Sequence, residues 1–192
     1  MSDFENKKVI NILKNSGALL KGHFLLRSGL HSEYFFQCAR VGENLKDVSL
    51  LVEILLHKIR SNFPEFETVV APAMGALVIG QELARQSGAR FIFLEKESNV
   101  LVLRRDFKIS SGEKVLIVED VITRGGRVEE TIEILDKHFA KILGIAVLVD
   151  RSQGKANFSI PYCSLLEMSF PTYKPDELPD YLKKIPALKP GS

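Results

Sequence analysis

Two hydrophobic rhythms take turns along this chain. Unbroken apolar runs occur at Thr68-Val-Val-Ala, Phe91-Ile-Phe-Leu, Val115-Leu-Ile-Val and from Ile142 to Val149. Short runs of this kind, rich in β-branched residues, mark strands buried on both faces of a sheet. Between them the apolar positions spread to a helical period. Val48, Leu51, Val52, Leu55, Leu56 and Ile59 share one face of a helix from Asn44 to Ile59, with Asn44 placed to cap it. Pro72-Ala-Met-Gly-Ala opens a second helix that passes Val78 and Leu83 and stops near Gly88, and Val128 to Leu135 forms a third. Strands alternating with helices predict an α/β fold with a mainly parallel, twisted sheet flanked by helices.

The remaining segments follow other patterns. Val9, Ile12 and Leu13 make a short amphipathic helix that stops at Ser16-Gly17. Gly22 to Gln37 reads as two strands joined by a polar turn at Ser28-Gly29. Successive strand residues face opposite ways, so Phe35 and Phe36 place one ring on each side. Both rings can be core, or one can meet a flat ligand. After the strand at Arg90 to Leu94, Glu95-Lys-Glu-Ser-Asn is polar, and Val100 to Ile109 alternates imperfectly around Arg104 and Arg105. That stretch predicts a hairpin excursion, either a solvated charged hairpin or a lid over an anionic ligand. Tyr162 to Met168 adds a last strand, and five later prolines limit regular structure to a helical turn near Asp180 to Lys184.

Composition narrows the class. Apolar residues are 45% and charged residues 26% of the 192, with a net charge of +2. So small a charge gives no reason to expect nucleic acid or an anionic membrane as partner. No stretch nears the roughly 20 apolar residues of a membrane span, and the first residues do not resemble a signal peptide. The cytoplasm is the expected location. Cys38 and Cys163 lack metal-ligand spacing and read as buried thiols, and His57 lies off its helix's apolar stripe.

Chemistry concentrates where the central strand ends. Glu119 and Asp120 follow Val115 to Val118, then Thr123-Arg-Gly-Gly-Arg makes a small-residue turn into the third helix. Free backbone amides and a helix N-terminus there favour an anion, and Gly125 and Gly126 leave the backbone open to it. Two carboxylates beside a phosphate repel it unless hydroxyls or a cation stand between, so a sugar phosphate suits the site. The turn after Pro72 offers a second, weaker anion site. Arg151 stands at the end of another strand, facing the crevice where open α/β sheets bind ligands.

An acidic pair followed by Thr-x-Gly-Gly resembles the phosphoribosyl-pyrophosphate signature of the type I phosphoribosyltransferases. Gly22-His-Phe-Leu-Leu-Arg-Ser-Gly-Leu-His-Ser, Pro72-Ala-Met-Gly-Ala, Phe91-Ile-Phe-Leu-Glu-Lys-Glu with Leu103-Arg-Arg-Asp-Phe, and Val149-Asp-Arg extend the resemblance. Together they are similar to the short bacterial and archaeal orotate phosphoribosyltransferases over all but the last twenty or so residues. The resemblance implies a single domain, with a hood from roughly residues 1–40 plus the C-terminal segment and a mobile catalytic loop at about 96–110. It also implies transfer of phosphoribosyl from phosphoribosyl pyrophosphate to orotate, with Mg²⁺, in a homodimer that shares the catalytic loop.

By position, the resemblance gives Glu119 and Asp120 the ribose hydroxyls. It gives Val121, Ile122, Thr123, Arg124, Gly125, Gly126 and Arg127 the rest of the phosphoribosyl site, with the 5′-phosphate at Thr123 to Arg127. Lys96 meets the pyrophosphate from the partner subunit. Thr123, Arg151 and Phe35 or Phe36 surround orotate, and the metal is held mainly through substrate. Three departures from the family pattern stand out: Arg124 and Arg127 in the phosphate loop, and Met74-Gly-Ala after Pro72. The other readings are a regulator that binds phosphoribosyl pyrophosphate and a transferase for purine or uracil.

Overall fold

The computed structural model describes residues 3–26, 28–98 and 100–189. Arg27 of the hood segment, Asn99 of the polar turn and Pro190 of the tail lie outside them. In chain order the elements are α1 (Asp3–Asn15), β1 (Leu19–Leu25), β2 (His31–Phe36), a 3-10 helix (Cys38–Glu43), α2 (Leu45–Asn62), β3 (Thr68–Pro72), α3 (Leu77–Ser87), β4 (Arg90–Glu97) and β5 (Val100–Leu103). They continue with β6 (Lys114–Ile122), α4 (Gly126–Lys137), β7 (Lys141–Asp150), β8 (Tyr162–Glu167), β9 (Thr172–Tyr173) and α5 (Asp180–Lys183).

The central sheet runs β5-β4-β3-β6-β7-β8. All its neighbours are parallel except β5, which returns antiparallel beside β4. Alternation along each strand sorts its residues to the two faces. Leu116, Val118, Ala146 and Leu148 join a core with Val48, Leu51, Leu55 and Leu83 of α2 and α3. Val115, Ile117, Ile145 and Val147 pack instead with Val128 and Leu135 of α4. Both faces are thus dry, which is why these strands read as continuous apolar runs. Asn44 caps α2 as expected, its side chain accepting from the Lys46 N–H at 3.1 Å.

Three boundaries differ from the sequence pattern. The central strand does not end at the carboxylates. β6 continues to Ile122 because β7 extends beside it, with Glu119 opposite Val147 and Ile122 opposite Asp150. Strand pairing satisfies the backbone whatever the side chains are. The excursion at 96–110 begins as a hairpin, with Lys96 opposite Leu101 on β4 and β5. Its return is anchored by Phe107 and Ile109 on the α4-side core, Phe107 meeting Phe93 edge-on. The proline-rich tail forms more than one helical turn. β9 pairs with β2, so β1, β2 and β9 make a separate antiparallel sheet, the hood. Leu188 then bonds back to β1, donating to the His23 carbonyl and accepting from the Leu25 N–H, each at 2.8 Å. His23 is itself buried, its Nδ1 2.7 Å from the Ile185 carbonyl and its Nε2 2.6 Å from His31 Nδ1.

Candidate active site

At the C-terminal ends of the parallel strands a cavity of about 550 Å³ lies between the hood and the sheet. Phe35, Phe36 and Gln37 wall one side, Met74 and Gly75 another, and Glu119 through Val128 form the floor and far wall. All nine residues from Glu119 to Arg127, the stretch singled out in the sequence, line this one pocket. Lys96 does not reach it. That lysine is exposed on β4, and its neighbours Glu95 and Glu97 pair with Arg105 and Arg104. Those two arginines are thereby engaged within the hairpin.

The two carboxylates are held differently. Glu119 is 2% exposed and accepts one hydrogen bond, from the Asp120 N–H at 3.0 Å. Burial, and beside it Asp120, push its carboxyl well above the usual range, against the opposing charge of Arg127. Asp120 is half-buried and accepts from the Val121 N–H at 2.8 Å. Its other oxygen occupies the space beside Gly75, where a side-chain carbon would collide with it. Gly75 is therefore part of the site, although its sequence neighbourhood suggests only a weak turn. Nearby Cys38 is buried, and burial followed by the charge of Asp120 raises its thiol well above normal. It is a wall, not a nucleophile.

The turn after β6 holds the anion-binding features. Gly125 has φ 85°, and a side-chain carbon there meets the Phe158 ring at 2.6 Å, so both backbone and space require glycine. Gly126, by contrast, has open space around it at the first position of α4. Among the described residues nothing accepts a hydrogen bond from the N–H groups of Thr123, Arg124 or Gly125. The first turn of α4 adds its own free amides. Arg124 and Arg127 line the cavity without filling it, and neither forms an ion pair among the described residues.

A second cavity, about 760 Å³, adjoins the first across Thr123 and Arg124, which line both. Arg151 is here, with Lys155, Ser28, Leu30, Phe170 and Thr172. Its guanidinium lies 5.6 Å from the ring centres of both Phe36 and Phe170. Its Nε is buried with no hydrogen-bond partner, and burial lowers its pKa. Phe36 is thus mostly core and a support for Arg151, while half-buried Phe35 tilts against Phe24 and keeps an edge on the first cavity. Phe170 was not foreseeable, because only the fold brings the tail beside Arg151. A half-buried guanidinium beside two aromatic rings, its Nε unpartnered, is suited to a flat anion.

A phosphoribosyl transferase domain model matches residues 42–173. The chain belongs to the phosphoribosyltransferase family. It is 43% identical over 186 residues to the orotate phosphoribosyltransferase of Desulforamulus reducens, covering 97% of this chain and 96% of that one. It is 45% identical over 185 residues to the orotate phosphoribosyltransferase of Caldicellulosiruptor saccharolyticus, covering 95% of each. The crystal structure of orotate phosphoribosyltransferase from Aeropyrum pernix superimposes with a TM-score of 0.73 at 24% identity, over 83% of this chain and 93% of that one. That likeness concerns the fold alone.

Proposed function

We propose that this chain transfers the 5-phosphoribosyl group from phosphoribosyl pyrophosphate to orotate, giving orotidine 5′-monophosphate and pyrophosphate in pyrimidine nucleotide synthesis. The observation that carries the reading is the division of the site. A cavity with two carboxylates and bare amides adjoins one with a half-buried arginine whose Nε is unpartnered, and Thr123 and Arg124 line both. The 5′-phosphate takes the amides of Thr123 to Arg127, and the ribose hydroxyls take Glu119 and Asp120. The orotate carboxylate takes Arg151, with Thr123 and Phe35 beside the ring.

In the reaction the C1–oxygen bond to pyrophosphate breaks as orotate N1, releasing its proton to solvent, bonds to C1. Positive charge develops on the ribose ring, where the acidic pair stabilises it, and the departing group carries away the electron pair. The described residues contain no group of three or more His, Cys, Asp or Glu that forms a metal cage. Mg²⁺ would enter with the polyphosphate, since that ion keeps several waters and is bound largely through substrate phosphates, and the acidic pair stays with the ribose hydroxyls. When bound it neutralises charge on the leaving group. Lys96, exposed and distant from its own cavity, serves the pyrophosphate of the partner subunit in a cytoplasmic homodimer.

The test is incubation with phosphoribosyl pyrophosphate, Mg²⁺ and each free base in turn. Loss of absorbance with orotate alone is expected. Consumption of uracil or a purine instead, or of no base, overturns the assignment. Mixing Lys96→Ala with Arg151→Ala protein regenerates activity in hybrid dimers if the loop is shared. No recovery returns Lys96 to a solvated charge.

A further inference from the structure

Arg124 and Arg127 are an awkward choice on grounds of stability. They flank Gly125-Gly126 at the start of α4, where the helix dipole disfavours cations. Neither has an ion-pair partner among the described residues, and two guanidinia three residues apart repel each other. Arg124 is exposed and Arg127 half-buried, and both line the cavity containing the free amides. Arg127 also faces inward far enough for its charge to act on buried Glu119. Neither Glu119 nor Asp120 forms an ion pair with either arginine among the described residues, and each accepts its hydrogen bond from a backbone N–H. A ligand carrying more than one negative charge removes the conflict.

We propose that Arg124 and Arg127 are phosphate-affinity residues that make this cradle selective for a dianionic phosphomonoester through side-chain charge added to backbone amides. The proposal rests on the phosphoribosyl reading above and goes beyond it. A cradle of amides and hydroxyls holds phosphate chiefly by hydrogen-bond geometry, with modest sensitivity to salt. A cradle flanked by two guanidinia holds it by charge-assisted, often bidentate bonds, which are stronger and, at an exposed residue, screened by salt. Arg124 also touches the second cavity, so it stands beside both the phosphate and the base ends of a bound nucleotide.

The experiment is calorimetric titration of the full chain with ribose 5-phosphate at low and high salt, using wild type, Arg124→Ser, Arg127→Ser and the corresponding lysine variants. Each serine variant is expected to bind about tenfold more weakly and with a flatter salt dependence, and each lysine variant to recover most of the affinity. Wild-type affinity is expected to fall as pH drops through about 6, where a phosphomonoester loses its second charge. Serine variants with wild-type affinity and salt dependence overturn the proposal while leaving the phosphoribosyl reading intact. Equal loss in serine and lysine variants with unchanged salt dependence also overturns it, since that indicates packing. A wild type that does not bind ribose 5-phosphate removes the phosphoribosyl reading itself.

Discussion

The two adjoining cavities share a wall and are built from opposite materials. One is floored by carboxylates at the end of β6 and edged by unpaired backbone N–H groups, so it offers both signs of charge within a short span. The other is cationic and aromatic, with Arg151 beside the rings of Phe36 and Phe170 and Lys155 in its lining. On the proposed function, the difference follows the ligand from one end to the other: a phosphate, a hydroxylated ring, then a flat anion. The first cavity is set by backbone geometry and leaves no room for a side-chain carbon at Gly75 or Gly125. The second is set by side chains and is roomier. Substitutions should therefore fail abruptly in the first and by degrees in the second.

The sharpest break is Gly75→Ala. The new methyl group takes the position of an Asp120 oxygen, and that carboxylate must swing away from the cavity. Misplacing one positioned group by about an ångström costs on the order of 100-fold, so kcat/KM should fall about that far with the fold retained. Steady-state kinetics beside a thermal melt checks it, and unchanged turnover separates Asp120 from the reaction. Next is Arg151→Ala, expected to raise the orotate KM about 30-fold while that for phosphoribosyl pyrophosphate stays within about twofold. Arg151→Lys should recover only part, because an ammonium lacks the planar fork that meets a carboxylate with two bonds. Equal rises in both KM values erase the distinction between the cavities.

What is legible in the sequence depends on distance along the chain. Parallel strands buried on both faces announce themselves, and Val115 to Val118, Ile142 to Val149 and the α2 stripe each lie where their patterns put them. The Glu119 to Arg127 stretch is legible because strand, turn and helix are contiguous. What escapes depends on remote partners. Gly75 matters because the turn after β3 lies against Asp120, and Phe170 matters because the tail returns beneath Arg151. The carboxylates look like a strand end because charge usually marks one, yet pairing with β7 carries β6 past them. The prolines of the tail hide β9, a two-residue strand at the hood's edge where few backbone bonds are needed. Arg124 and Arg127 have the bulk to occlude the pocket, and the structure leaves it open.

The mildest effect concerns stability and exposes what the first cavity costs. Glu119 is buried with a single backbone donor, and burial holds its carboxyl well above the usual range. In the unfolded chain a glutamate titrates near about 4.3. The folded protein therefore binds the proton more tightly, and stability contributed by this group is full below that value and declines as pH rises toward the folded-state pKa. Glu119→Gln keeps an oxygen to accept from the Asp120 N–H and removes the charge. The variant should thus gain on the order of 1 kcal/mol over wild type at pH 8, with the gap closing near pH 4. Urea midpoints at the two pH values measure it. A variant less stable than wild type at pH 8 means that the buried charge is better solvated than its surroundings imply, and the cost assigned to the acidic cavity then fails.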